Sequence, residues 1–225
     1  MSDDSPRTYA PLPDRPGDRR AAFQAHAAEL IEFLGAEPPA TAGPGREWEH
    51  EARSIVRRTL RAADAPPDGL LERLVRTGVH DPDPSFNRQF IEPAVRLYGR
   101  RRVKAALIDV LRTGSDEERA GAARAWYWTG VSVRYLDGEN RVMTPESRAE
   151  VDSVADLGAE WQEAALREFV ANEDLDVRRC ILPGLVLNAQ RQPAELHGLV
   201  TEAVRIARTH PDAYLRHRVE IQVGG

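Results

Sequence analysis

The chain has 225 residues, of which 41% are hydrophobic and 30% charged, a composition typical of one folded domain with a sizeable apolar core. The formal net charge of −5 opposes bulk attraction to nucleic acid or an anionic membrane, and no apolar run approaches the roughly 20 residues that span a bilayer. Cys180 is the only cysteine, which excludes an intrachain disulfide and a cysteine-rich zinc site.

The first 18 residues carry four prolines and many charges, and we expect them to be disordered. They lack the apolar core of a secretion signal, so a cytoplasmic location is expected. Residues 19–225 are predicted to form a single helical domain, because Ala, Leu, Glu and Arg dominate and alternating runs of Val and Ile are few.

Two amphipathic helices open this domain. Phe23 and Leu30 share one face of the first helix, and Ala52, Val56 and Leu60 share one face of the second. A loop rich in Pro and Gly separates them at 36–45, and the segment LLERLVRTG then predicts a third helix.

A unit made of an acidic turn, an arginine and an apolar helix then recurs four times. The arginines are Arg88, Arg119, Arg178 and Arg216, and the acids are Asp83, Asp116, Asp174, Asp176 and Asp212. Two of the steps between the arginines, 31 and 38 residues, fit the period of a stacked helix pair, about 30–47 residues. An acid suits a helix start, whereas an arginine there is unfavourable unless it pairs with an acid of its own or the neighbouring turn. The pattern therefore predicts a structural ladder of Asp–Arg contacts.

Local signals refine these units. Ser115 and Glu118 have the spacing of a capping box, and Asp83, which a proline follows, predicts a helix start. Pro93 and Pro183 lie five residues beyond their arginines, where each is expected to kink the second helix of its unit.

The longest step between the arginines contains an insertion at about 131–158. Alternating apolar residues and the pair Asp137 and Gly138 predict a short hairpin or ordered loop. Thr144 followed by Pro145 then predicts the start of a helix.

Each unit resembles the HEAT-repeat family of armadillo-type superhelices, because a helix is followed by a turn that contains Asp, and an arginine then opens a second apolar helix. Residues 174–179 and 115–123 carry the resemblance best, and it covers roughly residues 66–222, with 19–63 as a further, atypical pair. It implies an all-α fold, a right-handed α-solenoid of about four to five HEAT-like helix pairs with one inserted loop or hairpin. It also implies a protein-binding surface, as in an adaptor or scaffold, and it does not imply catalysis.

Two features are candidates for this surface. Trp126, Tyr127 and Trp128 point about 100° apart on a helix, so at least one should reach a groove or the insertion, which contributes Tyr135. The basic residues nearby are Arg88, Arg96, Arg100, Arg101, Arg102 and Lys104. Residues 86–104 carry a formal charge of +5 and residues 137–174 a charge of −8, an asymmetry that favours a partner protein or a second copy. The structural alternatives are a solvated turn for the basic residues and a core position for two of the aromatic rings.

Two other functions stay open at this point. HEAT-like alkylpurine DNA glycosylases have a similar architecture, and that resemblance would make Trp126 or Trp128 the stacking residue and Asp109 the acid. The other alternative is a structural subunit that associates with itself. The six histidines lack metal-binding spacing, and no nucleophile, phosphate-loop or dinucleotide motif occurs, so no metal, cofactor or catalytic residue is predicted.

Overall fold

The structure is a computed structural model, and it describes residues 19–41, 43, 45–61, 66–137 and 140–223. Residues 1–18, predicted to be disordered, and Gly138 of the hairpin turn lie outside these ranges. The described residues form eleven α-helices and one two-stranded antiparallel sheet, so the prediction of a helical fold is confirmed. The helices are α1 (Arg19–Phe33), α2 (Arg46–Arg61), α3 (Leu70–His80), α4 (Arg88–Tyr98), α5 (Arg100–Thr113), α6 (Asp116–Trp126), α7 (Pro145–Asp152), α8 (Ala155–Ala171), α9 (Leu175–Ile181), α10 (His197–Thr209) and α11 (Ala213–Val223), and the strands are β1 (Tyr135–Asp137) and β2 (Val142–Met143).

Ten of these helices pack in two layers. In the first layer α1, α3, α6, α9 and α11 follow one another, each in contact with the next. The second layer runs in the order α2, α4, α5, α8 and α10. Five pairs also form across the layers, namely α1 with α2, α3 with α4, α5 with α6, α8 with α9, and α10 with α11.

The apolar core follows from the helical spacing of buried side chains. Ala52, Val56 and Leu60 recur at four-residue steps on α2 and have no exposed surface. Val103 and Leu107 do the same on α5, and both belong to one continuous apolar cluster that includes every helix of the two layers. Full burial of one such aliphatic side chain contributes about 1.5–3 kcal/mol.

The connection at Gly99 changes which layer holds the first helix of each pair. A single residue joins α4 to α5, and both helices lie in the second layer. Gly99 has φ 80° and ψ 151°, a backbone conformation that strains any other residue type. The first two pairs therefore begin in the first layer, and the last three begin in the second.

Small residues on α6 allow it to approach α3 closely. Ala120, Gly121, Ala122 and Ala125 are buried on α6. A Cβ atom added to Gly121 would lie 2.0 Å from the carbonyl oxygen of Val79, which belongs to α3. Glycine is therefore required at position 121 by packing between two backbones.

The start signals in the sequence are confirmed at two helices. Ser115 and Glu118 form the predicted capping box at α6, since each side chain accepts the backbone N–H of the other. Thr144 caps α7 by accepting the N–H of Ser147, and Pro145 is the first residue of that helix. The hairpin predicted before this helix is also present, with Tyr135 opposite Met143.

The structure differs from the sequence prediction at two prolines. Pro84 follows Asp83 in a single helical turn, in which the Asp83 carboxylate accepts the Ser85 N–H at 2.8 Å, but regular α4 begins only at Arg88. The kink predicted at Pro183 is wrong, because α9 ends at Ile181 and the proline lies in a 3-10 turn at Leu182–Gly184. Pro183 lacks the N–H that would continue the helix.

Of the four arginines predicted in register, Arg119 contacts the acid of its own turn. Its Nη1 lies 3.4 Å from Asp116 Oδ1 and 3.2 Å from Glu168 Oε1 on α8. Arg178 donates to a backbone carbonyl of α8, and Arg216 donates to two carbonyls of the turn before α11. Arg88 lies in the second layer, whereas the helices of the other three lie in the first, because of the reversal at Gly99.

Other arginines bridge neighbouring helices through the turn acids. The three ion pairs are Arg53 with Asp81, Arg124 with Asp176, and Arg179 with Asp212. Asp81 follows α3, and its carboxylate accepts two N–H groups of Arg53 on α2 at 2.6 and 2.8 Å. Asp174 instead caps α9 through the N–H of Val177 at 2.9 Å. The predicted acids Asp176 and Asp212 are thus paired, but with arginines outside the predicted register.

Candidate functional site

The basic segment at the start of α5 is held by the insertion. Arg100 Nη2 lies 2.8 Å from Glu150 Oε1 on α7, and Arg101 Nη1 donates to Asp156 Oδ1 on α8 at 2.8 Å. The Arg101 guanidinium lowers the pKa of the Asp156 carboxyl to about 2. Opposite charges of segments 86–104 and 137–174 therefore meet within the chain, which reduces the asymmetry available to a partner at this place.

The only lysine is covered by an aromatic stack. Lys104 is 7% exposed, and its Nζ lies 3.6 Å from the ring centroid of Trp126. The Trp126 ring is stacked on Trp161 at 4.1 Å with 7° between the planes. Burial, and next the positive charge of Arg100, lower the pKa of Lys104 to about 8. Because Lys104 and Trp161 occupy opposite faces of Trp126, this ring has no free face on which a base could stack.

Exposed apolar side chains lie on the aromatic run and on the hairpin. Tyr127 is 75% exposed, and it is the most exposed of the three consecutive aromatic residues. On the hairpin, Leu136 is 69% exposed, and Tyr135 and Val142 are also exposed. These residues present apolar surface where a partner could bind.

Trp128 links the aromatic run to the second layer. Its indole N–H donates to the carbonyl of Pro84 at 3.4 Å, and its ring contacts Tyr127 edge-on at 4.9 Å. The guanidinium of Arg88 lies 5.7 Å from the centroid of the Trp128 ring. Trp128 thereby contacts both the turn that precedes α4 and one arginine of the cleft described next.

A cavity of about 400 Å³ lies between α2 and α4, and we call it the arginine cleft. It is lined by Arg57, Leu60, Arg61, Arg88, Gln89, Glu92, Pro93 and Arg96. Four guanidinium groups and one carboxylate give the lining a formal charge of +3. The volume falls within the range of about 300–1,000 Å³ that is typical of ligand pockets.

Among the described residues, the guanidinium groups of the arginine cleft form no ion pair with a carboxylate. No carboxylate of the described residues comes within 4.0 Å of Arg57, Arg61, Arg88 or Arg96. Arg96 donates instead to the carbonyl of Leu60 at 2.7 Å, a bond that ties α4 to the end of α2. With respect to the residues that the structure describes, the positive charge of the cleft is therefore available to an anionic ligand.

The structure places the predicted basic surface residues in different environments. Arg88 and Arg96 line the arginine cleft, whereas Arg100 and Arg101 hold the insertion, and the Arg102 guanidinium lies 5.1 Å from the Tyr98 ring. The sequence prediction missed Arg57 and Arg61. Their spacing of four residues on the polar side of α2 was visible in the sequence, but nothing in it showed that α2 lies beside α4.

Three further observations concern the described residues. Burial raises the pKa of the Cys180 thiol to about 11, so this cysteine stays protonated near neutral pH. Within the described ranges, no group of three or more His, Cys, Asp or Glu side chains is arranged to hold a metal ion. None of the described helices is both long and apolar enough to span a bilayer.

Comparisons of the chain with protein-family models, with curated proteins and with solved structures give no match.

Proposed function

We propose that the chain is a HEAT-like helical-repeat protein that acts as a non-enzymatic cytoplasmic adaptor and binds another protein through the arginine cleft. In this proposal residues 19–225 form one armadillo-type α-solenoid of five helix pairs, and its right-handed course stays a prediction. The observation that carries the proposal is the cluster of Arg57, Arg61, Arg88 and Arg96, which line one cavity without a carboxylate partner among the described residues.

Two features of the fold support a repeat architecture. Successive pairs stack so that each helix contacts the next one in its own layer, as expected when each pair cannot bury its apolar face alone. Ion pairs such as Arg179 with Asp212 join one pair to the next. The reversal at Gly99 departs from a uniform repeat and places α5 beside α4, the helix that forms one wall of the cleft.

Electrostatics supports an acidic partner. Four like charges around one cavity repel one another, and an anionic ligand removes this repulsion on binding. Arginine side chains are also enriched among the residues that dominate the affinity of protein interfaces. The exposed Tyr127 and the hairpin residues Leu136 and Val142 offer apolar contacts to the same partner.

The experiment is affinity capture from a lysate of the source cells, with three forms of the chain. The cleft variant is Arg57→Glu with Arg61→Glu, and the control is Arg167→Glu with Arg205→Glu. Both control arginines have side chains that are 61% exposed and lie outside the cleft lining, and the net charge change is the same. Thermal melts verify that all forms fold.

We expect wild type and control to retain the same proteins and the cleft variant to lose at least one of them. The lost protein, once purified, should bind the cleft variant about tenfold or more weakly than it binds wild type. Equal recovery of every protein by all three forms would contradict the proposal.

A further inference from the structure

We infer that the arginine cleft recognises a phosphate monoester group on a side chain of the partner protein. This inference rests on the proposed function and specifies the chemistry of its ligand. The binding group would enter between α2 and α4, where Arg57 and Arg61 lie one turn apart on one wall and Arg88 and Arg96 lie two turns apart on the other.

The number of guanidinium groups favours phosphate over carboxylate. A carboxylate carries one charge and two oxygens, and one guanidinium fork satisfies it. A phosphorylated side chain carries a charge of about −1.5 to −2 at neutral pH and three terminal oxygens, so it can accept from several arginines at once. The described lining of the cleft has four guanidinium groups and one carboxylate, that of Glu92, and this set matches a phosphorylated side chain in charge and in number of donors.

The cleft is partly preorganised for such a group. Arg96 is anchored by its bond to the Leu60 carbonyl, and Arg88 lies over the Trp128 ring. Anchoring reduces the side-chain freedom that is lost on binding, and arginine forks fit phosphate oxygens bidentately.

The same features disfavour a nucleic acid as the source of the phosphate. A cavity of about 400 Å³ holds a single phosphorylated side chain and does not follow a backbone over several nucleotides. The net charge of −5 also repels an extended polyanion beyond the cleft. A phosphorylated segment of a protein needs only this local positive charge.

The test measures fluorescence anisotropy with labelled peptide pools that have random flanking residues. One pool has a fixed phosphoserine, and the matched pools have serine or glutamate at that position. The variants are Arg61→Gln with Arg88→Gln, and the control Arg167→Gln with Arg205→Gln, which carries the same charge change outside the cleft. Free phosphoserine, inorganic phosphate and a single-stranded oligonucleotide serve as competitors.

We expect wild type and control to bind the phosphoserine pool at least about tenfold more tightly than the serine and glutamate pools, and the cleft variant to lose this difference. Equal binding of all three pools would overturn the inference. So would a phosphoserine preference that survives in the cleft variant, or competition by the oligonucleotide or free phosphoserine as strong as that by the unlabelled phosphopeptide pool.

Phosphatase treatment of the lysate separates this inference from the proposed function. If the captured protein still depends on Arg57 and Arg61 after phosphatase treatment, the adaptor function stands and the phosphate inference fails. If capture depends on these arginines and is abolished by phosphatase, both are supported. If capture never depends on them, the proposed function fails on its own test.

Discussion

Replacement of Gly121 by alanine tests the close contact between α3 and α6, which are neighbours in the first layer. The new Cβ atom would lie 2.0 Å from the carbonyl oxygen of Val79 and 2.7 Å from its carbonyl carbon. An ordinary contact between carbon and carbonyl oxygen is about 3.3 Å or longer, so α6 and α3 must separate by roughly 1 Å. Because both partners are backbone, no rotamer change relieves the overlap.

The expected change in the free energy of unfolding follows from two opposing effects. Overpacking of a core costs typically about 1–3 kcal/mol and occasionally more, and a gap of up to about 1 Å also forfeits a quarter to a half of the attraction between the facing atoms. Alanine favours the helix over glycine by about 0.5–1 kcal/mol. We therefore expect Gly121→Ala to lower the free energy of unfolding by about 3 kcal/mol, which for this chain length lowers the Tm by roughly 6–12 °C.

The assay is thermal and urea unfolding followed by circular dichroism, with Gly158→Ala as the control. Gly158 lies on α8, where an added Cβ meets no atom within 4 Å, so this variant should be as stable as wild type or about 0.4–1 kcal/mol more stable. A Gly121→Ala protein that melts at or above the wild-type temperature would refute the packing of α6 against α3.

Three further predictions concern buried ionisable groups. Arg53→Met leaves the Asp81 carboxylate, which is 0% exposed, without its charged partner, and it should lower the free energy of unfolding in urea by about 3–5 kcal/mol. Adding Asp81→Leu should recover most of this loss, and a double variant as unstable as Arg53→Met would refute the buried pair. Lys104 has a folded pKa of about 8 against an ordinary 10.5, so the unfolded chain binds more protons between these values and stability should rise with pH by up to about 3 kcal/mol. In Lys104→Met this contribution to the rise should vanish, and an unchanged pH profile would contradict the burial of the amine. The Cys180 thiol, with its pKa raised to about 11, should react with iodoacetamide at pH 8 more than about 100-fold slower in the native protein than in urea, and equal rates would place it at the surface.

Local structure was the part of the fold that sequence reasoning could predict. The capping box of Ser115 and Glu118 and the start of α7 at Thr144 depend on residues within one helical turn of each other, so their side-chain chemistry decides them. The hairpin in the insertion was predictable for the same reason. The short extent of α9 was missed because arginine and proline at matching offsets made two units look equivalent, although Pro183 follows the end of its helix and Pro93 lies within one.

Long-range arrangement could not be predicted from the same signals. Gly99 reads as a helix end, but the sequence does not show that the next helix remains in the same layer. That single connection places α6, α9 and α11 in the first layer, whereas Arg88 lies on α4 in the second layer, beside α2. Arg57 and Arg61 on α2 line the cleft together with Arg88. Arg101 forms an ion pair with Asp156, a residue 55 positions away in the sequence.

The most direct test of the account replaces Gln89, in the lining of the arginine cleft, by the photo-crosslinking residue benzoylphenylalanine and irradiates the source cells. The control carries the same residue in place of Gln190, which is exposed in the 3-10 turn at Ala189–Arg191 and is not part of the cleft lining. If the cleft binds a partner protein, position 89 should give a covalent adduct with a second protein, and adding Arg57→Glu with Arg61→Glu should abolish it, while position 190 gives none. Adducts that form equally at both positions, or that survive the loss of the two arginines, would contradict the account.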